Sequence, residues 1–286
     1  MQEHIKKRIE QIIANIDQLP SIPIVVSKII NMVNDPEVNF KLIADEISKD
    51  QAITTDILKI CNSAYFSKGK EITSVDRAIV TLGIKEVKDI VVISTTKQVM
   101  NKAILGYDLE KGELWKHNLI VAMLAKKIAT MKKQRTLADV VFTGGIIHDV
   151  GKTILALFVA NTFKEILATT MEKQIPFSIA EREIMGFDHQ EIGEKILEKW
   201  QFPEVLRAVV RYHHEPDLAP AQFRQVVSIV HVANTIALMA GVGIGSDGLY
   251  HELSENAVKA AEMSTQDLEQ LFAGVPEILK QAQAIL

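Results

Sequence analysis

Glu113 and His117 stand four residues apart at the start of a stretch with helical spacing, so both side chains lie on one helix face. A carboxylate and an imidazole placed this way can share a metal ion. Taken alone the pair is a weak signal and reads more readily as a surface Glu–His pair. His148-Asp149 says more, because it follows the apolar run Val140-Val141-Phe142-Thr143-Gly144-Gly145-Ile146-Ile147. Desolvating a carboxylate is costly, so a buried Asp149 needs a partner. A metal ion or a helix N-terminus would serve, and the plain alternative makes Asp149 the cap of a helix starting at Thr153. Lys152 lies three residues beyond Asp149, on the same face if helical, where it could position an anionic group. His189 opens another helical stretch and, by itself, reads as a capping or core residue. His213-His214 closes the stretch Pro203–Tyr212. Adjacent histidines there can splay toward two metals, or toward one metal and a substrate, or stabilise the helix C-terminus through its dipole.

Considered together, these residues form a nitrogen and carboxylate donor set. With a single cysteine, Cys61, the chain cannot build a thiolate zinc site or an internal disulfide. The set suits up to two divalent ions drawn from Fe, Mn, Ni and Zn. A carboxylate between two ions can bridge them, as two-metal phosphoester hydrolysis requires. The chain of 286 residues carries 36 acidic residues against 32 Lys and Arg, a net charge of −4. No basic excess exists to displace phosphate counterions, so nucleic-acid binding by bulk charge is excluded. Hydrophobic residues at 48% and charged residues at 24% exclude collagen-like, disulfide-stapled and disordered classes.

The elements that must position these residues are helical, and the fold class is all-α. Met1 to Leu19 reads as an amphipathic helix, with charges that exclude a signal peptide. Leu19-Pro20-Ser21-Ile22-Pro23 breaks it, and Ile24 to Val33 follows, stopped by Asn34-Asp35-Pro36. Asn39 caps Phe40 to Lys49, a further helix runs from about Ile53 to Ser63, and Ser74 caps Val75 to Leu82 before Gly83. Ile84 to Met100 carries the apolar run Ile90 to Ile93. A boundary is placed within Asn101–Lys111, giving a front half of residues 1–106 and a back half of 107–286. The back half reads as helices over Leu114–Met131, Leu137–His148, Thr153–Gln174, Ile179–Met185, His189–Trp200, Pro203–Tyr212 and Phe223–Gly241, then a pair after Ser254 and Ser264. Val226 to Ile244 is 19 residues without a formal charge, but Ser228, His231, Asn234 and Thr235 interrupt it and glycines break its end. It is expected to be a buried core helix, and the protein to be cytoplasmic. His4 and His251 are expected at the surface.

These motifs resemble the HD superfamily of metal-dependent phosphohydrolases, and within it the HDOD family of regulatory output modules. The front half carries Leu19-Pro20-Ser21-Ile22-Pro23, Asn34-Asp35-Pro36, Cys61-Asn62-Ser63-Ala64-Tyr65-Phe66, Ile72-Thr73-Ser74, and Ala78-Ile79 to Leu82-Gly83. The back half carries Trp115-Lys116-His117, Ile147-His148-Asp149-Val150-Gly151-Lys152, then His189 with Gly193, Trp200 and Pro203, and His213-His214-Glu215. The module spans about residues 18–215. Beside the cyclic-dinucleotide phosphodiesterases of the HD-GYP branch, the resemblance implies Glu113 and His117 as a first ligand pair. It implies His148 and Asp149 as the namesake dyad with Asp149 bridging, Lys152 facing substrate phosphate, and His189, His213 and His214 as later ligands. Asn234 occupies the place of the superfamily's last aspartate and is the weakest ligand. His231, three residues earlier, either compensates or is a core residue. Glu215-Pro216-Asp217-Leu218 lacks the Gly-Tyr-Pro element of the phosphodiesterases.

The resemblance implies a signalling output module that acts by binding a protein partner or a small ligand. Asn62, Ser63 and Tyr65 read as caps and interhelical hydrogen bonds. The alternative is a metal-dependent phosphohydrolase acting on a nucleotide or cyclic dinucleotide, with Asp149 and Lys152 catalytic. A third reading makes the histidines buried polar groups of a scaffold, and it survives only if they do not converge in space.

Overall fold

The computed structural model describes residues 24–33, 39–67, 69, 71–243 and 245–286, with the side chains of 24–25 and 157–161 left aside. The expected helix Met1 to Leu19, its Pro-rich break, the Asn34-Asp35-Pro36 stop and His4 lie outside the described residues. Within them the protein is all-α, and the one extended pairing is an isolated bridge between Ile104 and Leu109.

In the front half short helices start where the caps predict. Asn39 accepts from Lys41 N ahead of Phe40–Ser48, and Ser74 accepts from Arg77 N ahead of Val75–Leu82. The next helix runs Gln51–Cys61, two residues earlier than expected, because the Asp50 carboxylate accepts from both Ala52 N and Ile53 N. Asn62 ties this helix to the following loop. Its side chain donates to the Leu58 and Ile72 carbonyls and accepts from Ile72 N, at 2.8 to 2.9 Å. The Ser63 hydroxyl makes no hydrogen bond, and main-chain bonds to its carbonyl hold that turn instead. Ile24–Val33, Gln51–Cys61 and Val75–Leu82 pack on Ile84–Met100, which is buried along most of its length, and Phe40–Ser48 packs on those three.

The opposite side of Ile84–Met100 meets Glu113–Met131 and Arg135–Ile147, so one hydrophobic core runs through both halves. A buried lysine, Lys88, and a half-buried one, Lys126, sit in this seam. Lys88 donates to the Asp139 carbonyl and Thr143 hydroxyl at 3.1 Å and lies 3.0 Å from Asp89. Lys126 reaches Asp89 at 2.9 Å and Glu86 at 3.0 Å.

Behind the seam follow Val150–Lys173, Phe177–Met185, His189–Lys199, Glu204–Tyr212 and Arg224–Met239. The last is the uncharged stretch, and it is buried from Val226 to Ala237. No described helix is long and apolar enough to cross a membrane. The chain ends in three helices instead of the expected pair, Glu255–Ala260, Thr265–Ala273 and Val275–Gln283. Gly274 and Pro276 interrupt what periodicity alone reads as one element.

Candidate metal centre

Three close backbone approaches bring the candidate residues together. Gly145 lies so near the Glu113–Met131 helix that a Cβ there would stand 2.6 Å from Ala122 Cα, which seats His148 beside His117. A Cβ on Gly151 would stand 1.8 Å from the His189 carbonyl, and one on Gly193 would stand 2.5 Å from a Val210 methyl. Glycine at these positions lets the start of Val150–Lys173, the start of His189–Lys199 and the end of Glu204–Tyr212 meet. Asp149, His189 and His213 therefore share one pocket.

Four imidazoles enter that pocket with their Nδ1 atoms engaged behind them. His117 Nδ1 lies 2.9 Å from the Val242 carbonyl, His148 Nδ1 2.8 Å from that of Gly145, and His213 Nδ1 2.9 Å from that of Val210. A carbonyl only accepts, so in neutral His148 and His213 the proton sits on Nδ1 and the lone pair on Nε2 faces inward. His189 Nδ1 makes the equivalent bond to the Glu181 carboxylate at 2.7 Å. Engagement of one ring nitrogen by a carbonyl or carboxylate is the arrangement that orients histidine for a metal.

Asp149 lies between these rings and is 1% exposed. Its Oδ2 is 3.4 Å from His148 Nε2, and its Oδ1 is 3.5 Å from His213 Nε2 and 3.7 Å from His189 Nε2. Asp149 Oδ1, His148 Nε2 and His213 Nε2 are all buried and make no hydrogen bond. The capping alternative fails. The helix begins at Val150, not Thr153, and the Asp149 side chain makes no cap bond to it. Ligand atoms of Asp149, His189, His213 and His214 lie within 4.8 Å of one another, as do those of His117, His148 and Asp149. Asp149 is common to both groups, and either group could hold a metal ion.

The remaining predicted residues fall around this centre. Asn234 Oδ1 is 2.9 Å from His117 Nε2. His214 Nε2 is 3.1 Å from His189 Nε2. Glu113 belongs to neither group. Its carboxylate is partly exposed and lies 3.5 Å from the Lys116 ammonium, one helical turn on. Lys152 is buried and already bound to two carboxylates, Asp149 Oδ2 and Asp247 Oδ2, each at 2.5 Å.

The charges explain the protonation states. Burial presses His148, His213 and His214 below the ordinary imidazole value, so these rings are neutral. Burial works to raise Asp149, but the neighbouring His148 and Lys152 hold it well below the usual carboxylate range. Because His148 is itself neutral, we assign the ionised carboxylate to Lys152, whose ammonium is kept charged against its burial by Asp149 and Asp247. His189 is the exception among the rings. Burial lowers it, yet the Glu181 charge and hydrogen bond prevail and raise it. Asp149 thus has Lys152 as its charged partner on Oδ2, while its buried Oδ1 faces the neutral ring of His213 and makes no hydrogen bond. An added cation there would offset the cost of its burial.

Several participants escape sequence reasoning. Glu181 is fully buried, accepts from His189 Nδ1 and His189 N, and accepts from the Tyr107 hydroxyl at 2.5 Å. Tyr107 sits in the segment read as a boundary. Asp247 lies in Gly245-Ser246-Asp247-Gly248, which has the composition of an exposed turn. The only advance signal was the cluster Gly241, Gly243 and Gly245, which reads as a helix break but also marks close packing. His251 is half-buried instead of superficial. It donates from Nε2 to Thr235 Oγ1 at 2.8 Å, because that hydroxyl gives its own proton to the His231 carbonyl. His231 is a core residue, not a substitute ligand. Its Nδ1 donates to the His213 carbonyl at 2.8 Å and its Nε2 accepts from Ser254 N at 3.1 Å. His214, His231 and His251 border a cavity of about 380 Å³ that also meets Ser178, Glu215 and Ser254.

Three solved structures share this fold. An HDOD domain protein of unknown function from Geobacter sulfurreducens is 23% identical, with a TM-score of 0.81 over 100% of this chain and 99% of that one. A candidate phosphohydrolase from Shewanella amazonensis SB2B is 20% identical, with a TM-score of 0.71 over 96% and 98%. A candidate signal transduction protein from Marinobacter aquaeolei VT8 is 17% identical, with a TM-score of 0.72 over 94% of this chain and 60% of that one. At these identities the likeness establishes the fold alone. The chain spans less than half the length of the curated relatives it matches, 44% and 24% of two uncharacterised proteins. The HDOD domain model matches residues 19–216, which takes in the front-half motifs, the His148-Asp149 dyad and the His213-His214 pair. The chain belongs to the HDOD domain family.

Proposed function

We propose that this chain is a signal-transduction output module whose back half holds divalent metal and whose occupancy is passed to a protein partner. One observation carries the reading: the inward lone pairs of neutral His148 and His213 face the buried carboxylate of Asp149 at 3.4 and 3.5 Å, with no proton available between them. A cation between these atoms turns mutual repulsion into ligation. His117, His148, Asp149, His189, His213 and His214 are the ligand set, with Asn234 offering a neutral oxygen. Glu113 joins only if it leaves Lys116. When bound, Fe, Mn, Ni or Zn supplies positive charge and Lewis acidity at the centre of the pocket. His148 follows directly on the helix Arg135–Ile147, and Lys88 grips that helix at Asp139 and Thr143. Tightening around the metal therefore acts on the front half through a rigid, hydrogen-bonded seam.

The test is elemental analysis of protein loaded with each metal in turn, beside His148→Ala and Asp149→Ala. Stoichiometric metal in the parent and its loss in both variants is expected. Substoichiometric metal that neither substitution changes would sink the metal centre.

A second reading, phosphohydrolysis of a nucleotide or cyclic dinucleotide, draws on the position of Asp149 in both ligand groups, where it could bridge two ions. Against it, Lys152 is already engaged by two carboxylates and Asn234 brings no charge. Turnover of cyclic dinucleotides or nucleoside phosphates that disappears in Asp149→Ala would establish this second reading over the first.

A further inference from the structure

The cavity of about 380 Å³ beside His214 is lined by neither Asp149 nor Lys152. Ser178, His214 and Glu215 reach it from within residues 19–216, which match the family model, whereas residues 250–254 close it from beyond them. No lysine or arginine lines it. Arg182, the cation beside Glu215, is held between Glu215 Oε2 at 2.5 Å and Asp188 Oδ2 at 3.0 Å.

The polar groups that line the cavity chiefly accept. Ser178 is 4% exposed, and its hydroxyl has no hydrogen-bond partner among the described residues. His251 donates from Nε2 to Thr235 Oγ1, and burial keeps the ring neutral, so its lone pair is on the unengaged Nδ1. Glu252 is exposed at the rim and makes no ion pair among the described residues. Arg182 engages Glu215 through Oε2 alone. Tyr250 also stands at the rim, 39% exposed, with φ at 54°, a left-handed backbone that bulky side chains rarely adopt. The fold holds an aromatic ring at the cavity against this local cost.

An anion entering here meets carboxylates and lone pairs, with no cation to receive it. A metal ion fits no better. Apart from the sets that surround Asp149, no three His or acidic ligand atoms of the described residues lie within 4.8 Å of one another. A protonated amine suits the lining, because its several N–H donors can meet separate acceptors and its charge is attracted to a ring face. We propose that this cavity binds a small organic diamine in its protonated form, with Glu215 and Glu252 receiving the ammonium groups beside Ser178, His251 and the Tyr250 ring. The inference goes beyond the metal centre and does not require it. The two share only His214, whose Nε2 is 3.1 Å from His189 Nε2.

1,4-Diaminobutane is the probe, titrated calorimetrically into the full chain in chelator. Salt at about 0.15 M screens long-range attraction to the net charge of −4. Glu252→Gln is expected to weaken binding about tenfold, through loss of a charge-assisted contact. Tyr250→Gly is expected to weaken it about fivefold, through loss of the ring. Glycine adopts this backbone freely, so the second variant keeps the fold. Glu255→Gln is the control, since that carboxylate is 90% exposed and lies outside the cavity, and it should leave binding unchanged. Binding that neither Glu252→Gln nor Tyr250→Gly weakens, or that Glu255→Gln weakens as much, overturns the proposal. Tighter binding of inorganic phosphate than of the diamine overturns it as well. On the parent, saturating diamine should slow hydrogen exchange over residues 249–254, and unchanged exchange there counts against the site. Chelator keeps metal out of every arm, so the result stands whether or not the centre holds metal.

Discussion

Asp149 Oδ1 lies 3.5 Å from His213 Nε2, while the one proton of that neutral ring is engaged at Nδ1 by the Val210 carbonyl. Two electron-rich atoms thus face each other in a desolvated pocket, an arrangement that a cation stabilises and an empty pocket does not. Metal should therefore stabilise the fold by mass action. Saturation at a hundredfold excess over the dissociation constant adds about 2.7 kcal/mol. Thermal melts with added metal and with chelator measure it. Asp149→Asn should melt at the same temperature in both, and a metal-dependent shift that persists in this variant would contradict the assignment.

Glu181 holds His189 by two bonds, from Nδ1 at 2.7 Å and from the backbone N–H at 3.0 Å, and is itself held by Tyr107. It touches no candidate metal position, so its effect is on orientation. Glu181→Gln keeps the shape and removes the charge that raises His189. Metal affinity should fall by about tenfold to a hundredfold, as for other partners of metal-bound histidine. Competition with a fluorescent chelator measures the affinity. Equal affinity in parent and variant would mean that Glu181 serves only packing.

The difference between Glu181 and His148 shows what a sequence can carry. Spacing places His148, Asp149, His189 and His213 at the starts and ends of helical stretches, but it is the family resemblance that implies a shared ligand set, since His189 alone reads as a capping or core residue. The helices themselves were legible because Asn39 and Ser74 cap as their types require. Glu181 stands in mid-helix among Ala180 and Arg182, where an acidic residue usually faces solvent. Its burial is decided by Tyr107 and His189, from elements remote in the chain. Asp247 was hidden for the same reason, since only the fold brings it to Lys152 across 95 positions. Glu113 shows the converse. Its spacing from His117 fits a shared metal, but Lys116, one turn away, offers an exposed partner at no desolvation cost.

His231 makes stability depend on pH. Burial brings its value from 6.5 down to about 4, and both ring nitrogens are occupied by the His213 carbonyl and Ser254 N–H. The unfolded chain therefore binds a proton between these values that the folded chain does not. The stabilisation is complete above pH 6.5 and is lost as pH falls toward 4, by about 3 kcal/mol for this ring. His251, brought down to about 3 by burial, acts in the same direction, whereas His189 opposes it. Urea midpoints at neutral and at mildly acidic pH, taken in chelator, give the slope. His231→Gln should flatten it, and a slope identical to the parent would rule out this origin.

In the seam, Asp89 is fully buried between Lys88 at 3.0 Å and Lys126 at 2.9 Å. Removing the shared anion leaves two ammonium groups facing each other with little solvent. Asp89→Ala should cost about 3 to 5 kcal/mol, the range for breaking a buried pair on one side. Asp89→Asn keeps a hydrogen-bonding oxygen and should cost less. Equilibrium urea unfolding compares the three proteins. A cost for Asp89→Ala below that of Asp89→Asn would mean that the network is not held by charge.

Gly151 and Gly144 both lie on the approach to Asp149, but an added methyl meets different atoms at each. At Gly151 it meets backbone, the His189 carbonyl at 1.8 Å and Gly193 N at 2.8 Å, and backbone in two packed helices cannot step aside locally. At Gly144 it meets the Val209 side chain at 3.1 Å, which can yield by a small rotation. Gly151→Ala should therefore drive His189–Lys199 away from Val150–Lys173, costing about 1 to 3 kcal/mol. It should also lower metal affinity, because His189 moves away from Asp149. Gly144→Ala should leave affinity near that of the parent. Unfolding midpoints and chelator competition on the two variants decide the matter, and equal losses at both positions would show that helix approach at Gly151 does not set the geometry of the centre.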